Sequence, residues 1–413
     1  MMPSQGGARR RGASDNKATG KTASTERARR PRIVCIDAVR GLVMVLMALD
    51  HVRLFFHAGS LLDSPTNLDR TTTAVFLTRW VTHLCAPTFI FLAGMGAFLR
   101  SQGSPSRAAA ARFLCLRGLW LILLELTAVH FLWHFNFSYR EVDGGVLWAI
   151  GWSMIALGGL LFLPRRVVGP LAVTLIAAQH LWQSTESNAW GAWSWLWAIL
   201  YSCDTLGPWR GIQFDPVYPL IPWVGVLAAG WVCGPWMLLA RETRRRRLLL
   251  AGSILLVAFV FLRLLNVYGD PQPWSVRDGH WSTVLSFVHC TKYPPSLAFL
   301  LMTLGPCLLL LAWLDRPSGM VSGKLSIFGR APLFFYLLHL FVIHALAVVF
   351  SLARYGRASW LFEYPSWNKD YADVYPEGYG YSLLVVYLVW VLVLAILYPC
   401  CRWYCAKRKR GTP

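Results

Sequence analysis

The sequence predicts an all-α fold: a polytopic integral membrane protein of about ten transmembrane helices, with both termini in the cytoplasm. Three observations carry this. Apolar residues make up 56% of the 413, and mean hydropathy is +0.45. Apolar runs of about 17 to 25 residues recur from end to end, the length that crosses roughly 30 Å of hydrocarbon. Basic residues fill alternate connections, so every short basic loop falls on one side of a membrane. A transmembrane β-barrel would instead show short alternating strands, and that pattern is absent from the sequence.

The apolar runs place spans at about 33–58, 74–98, 109–135, 145–163, 167–183, 217–239, 247–268, 295–314, 327–353 and 381–404. Residues 1–32 are rich in Gly, Ala, Ser, Thr, Arg and Lys without apolar periodicity, which predicts a disordered cytoplasmic tail. Residues 405–413 form a second, short basic tail. The first apolar run is too long for the core of a cleavable signal peptide. A net charge of +20 would suggest nucleic acid in a soluble protein. Here the basic runs at 244–247 and 407–410 read as topology determinants facing anionic membrane lipids, and no nucleic-acid partner is expected.

Most of the ten cysteines lie within or beside spans and read as small apolar packing residues. No C-x-x-C spacing occurs, so no metal site is expected. Cys203 and Cys290 fall in outer segments and can pair if that compartment is oxidising.

The polar residues inside the spans are the informative ones. The first span carries Asp37, Arg40, Asp50, His51, Arg53 and His57. Ionisable side chains are expensive in a bilayer, and six in one helix exceed what anchoring needs. On a helix, Asp37, Arg40 and His51 share one face, while Asp50, Arg53 and His57 share another. Asp37 and Arg40 fit an i, i+3 ion pair. Asp50 and His51 follow about 20 Å further along the axis, toward the outer half of the membrane.

The second span adds Arg79 and His83, neighbours at i, i+4, and then Pro87, which should kink the helix. In the third, Glu125 lies mid-membrane and needs a cation, with Arg79 or Arg117 as candidates. The segment 184–216 is rich in Trp and suits an interfacial helix. The outer loops 269–294 and 354–380, which carry Lys292, Asp370 and Asp373 among other charges, are long enough to cap a site. His339 falls near the middle of the ninth span and His344 further out.

Three separated motifs are then suggestive together: Asp37-x-x-Arg40-Gly41 with Met47 and Asp50-His51; Thr78-Arg79-Trp80-x-x-His83-x-Cys85-Ala86-Pro87; and Gly329-Arg330-x-Pro332-x-x-x-Tyr336-x-x-His339. In this order the chain resembles the heparan-α-glucosaminide N-acetyltransferase-like family, in its bacterial branch. The first motif also looks like the opening of the membrane acyltransferases that O-acylate bacterial surface polysaccharides, whose histidine falls at His51. In lysosomal members the important histidine lies closer to His57, and an Asn matches His51.

The resemblance implies a transmembrane acyltransferase of the bacterial cytoplasmic membrane. Acetyl-CoA or another acyl-CoA would be the cytoplasmic co-substrate, and a sugar or glycan on the far side the acceptor. Acyl transfer to a hydroxyl or amine needs a base or an acyl carrier, and a histidine serves as either. On this reading His51, His57 and Asp50 are catalytic, with Asp50 paired to His57 and His51 toward the acyl donor. Arg79 and His83 would stabilise the oxyanion, with Arg53 and His339 also at the substrate. Arg40, beside Asp37, would receive CoA phosphates. A homodimer is compatible with the sequence. The rival classes are a multi-pass transporter or channel and a non-catalytic subunit of a cell-envelope assembly. Concentration of the charges in the first three spans, with no internal repeat, favours the enzyme.

Overall fold

A computed structural model describes residues 33–58, 64–182, 187–315, 320–363 and 375–410. The basic tail 1–32 and the loop residues Asp370 and Asp373 lie outside the described residues.

The first half contains α1 (Val34–Phe56), α2 (Thr73–Thr82), α3 (Cys85–Ser101), α4 (Arg107–Leu124), a π turn at Glu125–Val129, α5 (His130–His134), β1 (Glu141–Asp143), α6 (Val146–Leu160), α7 (Arg165–Ala177), α8 (Gln179–Trp182) and α9 (Ser194–Trp197). Next come β2 (Leu206–Trp209), β3 (Ile212–Asp215), α10 (Leu220–Cys233), α11 (Arg241–Leu265), α12 (His280–Val288), α13 (Leu297–Leu314), α14 (Met320–Arg330), α15 (Pro332–Tyr355) and α16 (Leu383–Arg410). Among the described residues, seven helical segments are long and apolar enough to cross a membrane: Thr73–Ser101, Arg107–His134, Leu220–Leu238, Arg241–Leu265, Leu297–Leu314, Pro332–Tyr355 and Leu383–Arg408. The protein is a helical integral membrane protein.

The other three expected spans correspond to α1, α6 and α7. Helix α1 has the length, 23 residues, but carries four charged side chains. Helices α6 and α7 are short at 15 and 13 residues, and α7 contains Pro170.

Helix α1 is the hub. It packs against α2, α3, α13, α14, α15 and α16, and Ala38, Val39, Val43, Ala48 and Val52 are fully buried. Its charged residues therefore face protein, the condition under which such groups are tolerated at membrane depth. The contact with α14 is the closest. A Cβ on Gly329 would stand 1.8 Å from the Asp37 carbonyl oxygen, and one on Gly41 would stand 1.9 Å from that of Leu325. Only glycines permit this approach of two backbones.

Two prolines set the breaks that shape the site. Pro87 lies in the first turn of α3, and the chain leaves helical hydrogen bonding at His83–Leu84, as the kink expectation requires. Pro332 occupies the start of α15, so the expected ninth span begins there rather than at 327. The residues before it form the separate helix α14. At the other end, β1, β3 and β2 make a small sheet in that order, β1 parallel and β2 antiparallel to β3. The Trp-rich segment before it is a succession of short 3₁₀, α and π turns, not one interfacial helix.

Candidate active site

Successive residues of α1 build the two halves of the site. Asp50 receives hydrogen bonds on both carboxylate oxygens: Arg53 Nη2 donates to Oδ1 at 3.2 Å, and Arg79 Nη1, from α2, donates to Oδ2. Asp50 and Arg53 meet because residues three apart lie on one helix face. Both oxygens of Asp50 are thus engaged by arginines, and Arg79 from the neighbouring helix supplies a full charge-assisted bond. His57 stands at the end of α1, where the backbone of Phe56 and Ala58 bridges to Tyr381.

The neighbouring side chain, His51, crosses to α15. Its Nδ1 lies 2.8 Å from His339 Nε2, and His339 Nδ1 lies 3.0 Å from the carbonyl oxygen of Phe335. A carbonyl can only accept, so His339 donates from Nδ1 and, when neutral, presents a lone pair on Nε2. His51 must then donate from Nδ1, which leaves its own Nε2 unprotonated when its ring is neutral. His339 is fully buried, whereas His51 is half-buried, so the end of the relay with the free lone pair is the accessible one. Trp133 meets the His51 ring edge-on at 4.9 Å and limits its rotation.

A second wall comes from residues that the motifs did not single out. Tyr218, just before α10, and Tyr293, just before α13, have hydroxyls 3.5 Å apart. Lys292 lies over the Tyr293 ring, 4.8 Å from its centroid. Lys292 acts electrostatically on Asp50 and His51, and Tyr293 on Arg79, which places this pair beside the α1–α2 cluster. Tyr336 links the wall to His339, with ring centroids 5.5 Å apart. Tyr293 is 39% exposed. Tyr336 stands in the third motif, whereas the hint of the others in the sequence was Lys292, in an outer loop long enough to cap a site.

His83 sits at the helix break, packed edge-on against Phe299 at 5.4 Å, and is 4% exposed. Its Nδ1 is buried without a hydrogen-bond partner. Beside α2, a cleft of about 170 Å3 is lined by Asn67, Asp69, Gln272, Arg277 and His289 among others. The His289 ring meets Phe76 edge-on, and Phe76 is one helical turn from Arg79.

At the N-terminal end of α1, Arg40 Nη1 donates to Asp37 Oδ1 at 3.4 Å and to the Gly329 carbonyl at 3.2 Å. This is the expected i, i+3 pair, and it also ties α1 to α14. Arg330 Nε approaches Asp37 Oδ2 at 4.0 Å. Arg40 lies about 17 Å and Asp37 about 21 Å along the helix axis from His51, so α1 carries two separate polar groups.

Two other expectations change. Glu125 has no arginine partner among its hydrogen bonds; its Oε2 accepts from the Leu147 backbone N–H at 3.0 Å, in the first turn of α6. A helix N-terminus supplies unpaired donors and a positive dipole end, which answers a carboxylate without a cation. Arg117 lies exposed on α4. All ten cysteines are thiols, Cys203 and Cys290 included, so these two do not pair.

A search of curated proteins finds no match to the chain. The family described as "Heparan-alpha-glucosaminide N-acetyltransferase, catalytic" matches residues 32–268, which include Asp37, Arg40, Asp50, His51, Arg79 and His83. That span is more than half of the chain, and with it the resemblance drawn from the motifs becomes membership: the chain belongs to the heparan-alpha-glucosaminide N-acetyltransferase catalytic family.

Proposed function

We propose that this transmembrane acetyltransferase moves an acetyl or related acyl group from cytoplasmic acyl-CoA to a sugar or glycan acceptor on the outer side of a bacterial cytoplasmic membrane, with His51 as its base or acyl carrier. The observation that carries the reading is the His51–His339 hydrogen bond, backed by the Phe335 carbonyl, which leaves His51 Nε2 as an accessible lone pair. On the base route, this nitrogen takes the proton of the acceptor amine or hydroxyl as that atom attacks the thioester carbonyl. The C–S bond then breaks, and the imidazolium returns the proton to the departing thiolate. On the carrier route, the same lone pair attacks the carbonyl first, C–S breaks and CoA leaves as the thiolate, and the acceptor then takes the acyl group from Nε2 as it gives up its proton. An acyl-histidine trapped after mixing with labelled acetyl-CoA alone would identify the carrier route.

Asp50 is the fixed anion of the site. Clamped between Arg53 and Arg79, it holds the C-terminal half of α1 against α2 and so positions His51 relative to the second wall. The topology in this reading keeps ten spans, counting α1, α6 and α7, with both termini cytoplasmic, the tail 1–32 preceding the domain 33–404, and residues 405–413 as the basic end. Arg40 and Asp37 then face the cytoplasmic side, where Arg40 and Arg330 can meet CoA phosphates. The pantetheine arm would bridge the distance to His51, and the cleft beside Phe76 would admit the acceptor from the other side. The test is CoA release from acetyl-CoA by the purified protein, with water standing in as the acceptor. Replacement of His51 by Ala should abolish it, and undiminished release would remove His51 from the mechanism.

A further inference from the structure

Acyl transfer needs donors for the carbonyl oxygen as it becomes tetrahedral, and the residues first expected to supply them are poorly placed. Arg79 is committed to Asp50, along with Arg53. His83 is 4% exposed, with its ring against Phe299. The donors that remain beside His51 with open surface belong to the segment before α13.

We propose that Lys292 and Tyr293 form the oxyanion site, the ammonium and the phenol O–H both donating to the carbonyl oxygen of the acyl group in transfer. This rests on the acyltransfer reading above. Three features of the structure support it. Lys292 lies 4.8 Å from the Tyr293 ring centroid and forms no ion pair among the described residues. Tyr293 keeps 39% of its surface open, and the Tyr218 hydroxyl lies 3.5 Å from its own.

The third feature is rigidity. Asp270 holds the segment on both sides of the pair: it accepts from Thr291 N at 3.0 Å and Thr291 Oγ1 at 2.9 Å before it, and from Ser296 Oγ at 2.5 Å after it. Donors fixed before the reaction stabilise developing charge without reorganising during it. Burial opposes ionisation of Tyr293, but Lys292 and Arg79 outweigh it, and the phenol lies below the ordinary tyrosine range. A more acidic phenol is a stronger hydrogen-bond donor.

The step balances without an added reactant. The lone pair of the acceptor forms the new bond to carbon, and the C=O pair moves onto oxygen between Lys292 and Tyr293. That pair returns as C–S breaks, and the thiolate leaves with its electrons and the proton held by His51. Nothing is oxidised or reduced.

The experiment measures CoA release from acetyl-CoA, with water as the acceptor, by full-length protein in detergent, with acetyl-CoA affinity measured separately by calorimetry. Tyr293→Phe removes one oxygen and Lys292→Met removes one charge. Each should lower kcat by about 10²- to 10³-fold, the loss typical of an oxyanion donor, with affinity nearly unchanged. Lys292→Arg should recover part of the Lys292→Met loss, which a packing defect would not allow. Wild-type kcat in both Tyr293→Phe and Lys292→Met, with release abolished by His51→Ala, overturns this assignment and leaves the acyltransfer reading standing. A loss confined to affinity also overturns it, because it makes the pair a binding element. Release that survives His51→Ala removes the acyltransfer reading itself.

Discussion

A carbonyl oxygen cannot donate, and that one constraint orients every proton in the relay from Phe335 through His339 to His51. His339 acts through His51 and is a positioning residue. Replacing it by Ala should lower kcat by about 10²-fold or more, within the range that general-base catalysis supplies, while acetyl-CoA binding holds. Equal kcat in His339→Ala and wild type would show that the relay is packing only. Glu125 makes a second residue-scale prediction. Its carboxylate serves N–H groups that open α6, so Glu125→Leu leaves buried donors unpaired, at a cost of about 1–3 kcal/mol. A clear fall in the thermal midpoint of the purified protein is expected, with Glu125→Gln milder because an amide oxygen still accepts. His51 was legible in the sequence because it lies inside an apolar helix. The partners of Asp50 and Glu125 were not, because reading one helix at a time does not show which donors a neighbouring helix or helix end brings.

Helices α1 and α14 meet through glycine, and this contact holds the two halves of the polar machinery in one frame. The Arg40 bond to the Gly329 carbonyl lies on the same contact. With a Cβ at position 329 only 1.8 Å from the Asp37 oxygen, Gly329→Ala must push the helices apart. Sharply reduced yield of monodisperse protein is the expected outcome, and a normal yield with normal melting would contradict so close a contact. Arg263 plays the matching part for the segment that bears Lys292 and Tyr293: its guanidinium donates to the carbonyls of Phe287, Gln272, Ser286 and His289. The sequence displayed Gly329, Arg330 and Pro332 as a motif but not its mechanical meaning. Hydropathy runs on smoothly there, while the missing N–H and fixed φ of Pro332 divide α14 from α15.

For the whole molecule, the helical membrane class was legible from apolar run length alone, since the bilayer demands it. The count was less legible. Among the described residues seven segments satisfy both length and composition, while α1 is shielded by the helices packed around it and can keep its charges at depth. Single cysteines placed in a cysteine-free background test the proposed topology. Labels near Arg166 and Lys407 should react from the cytoplasmic face and one near Arg277 from the opposite face; reaction of all three from one side would overturn the ten-span arrangement. The small sheet escaped the sequence reading because Leu206-Gly-Pro-Trp209 has no apolar alternation, and its pairing to β3 is set by the turn between them.

All of these scales converge on the accessible nitrogen of His51. The most direct measurement is single-turnover CoA release from acetyl-CoA by purified wild-type protein and by His51→Ala, folded to the same melting temperature. The account predicts release by the wild type and a loss of about 10²- to 10⁴-fold in the variant, the range for a catalytic base. Equal rates in the two proteins would contradict it.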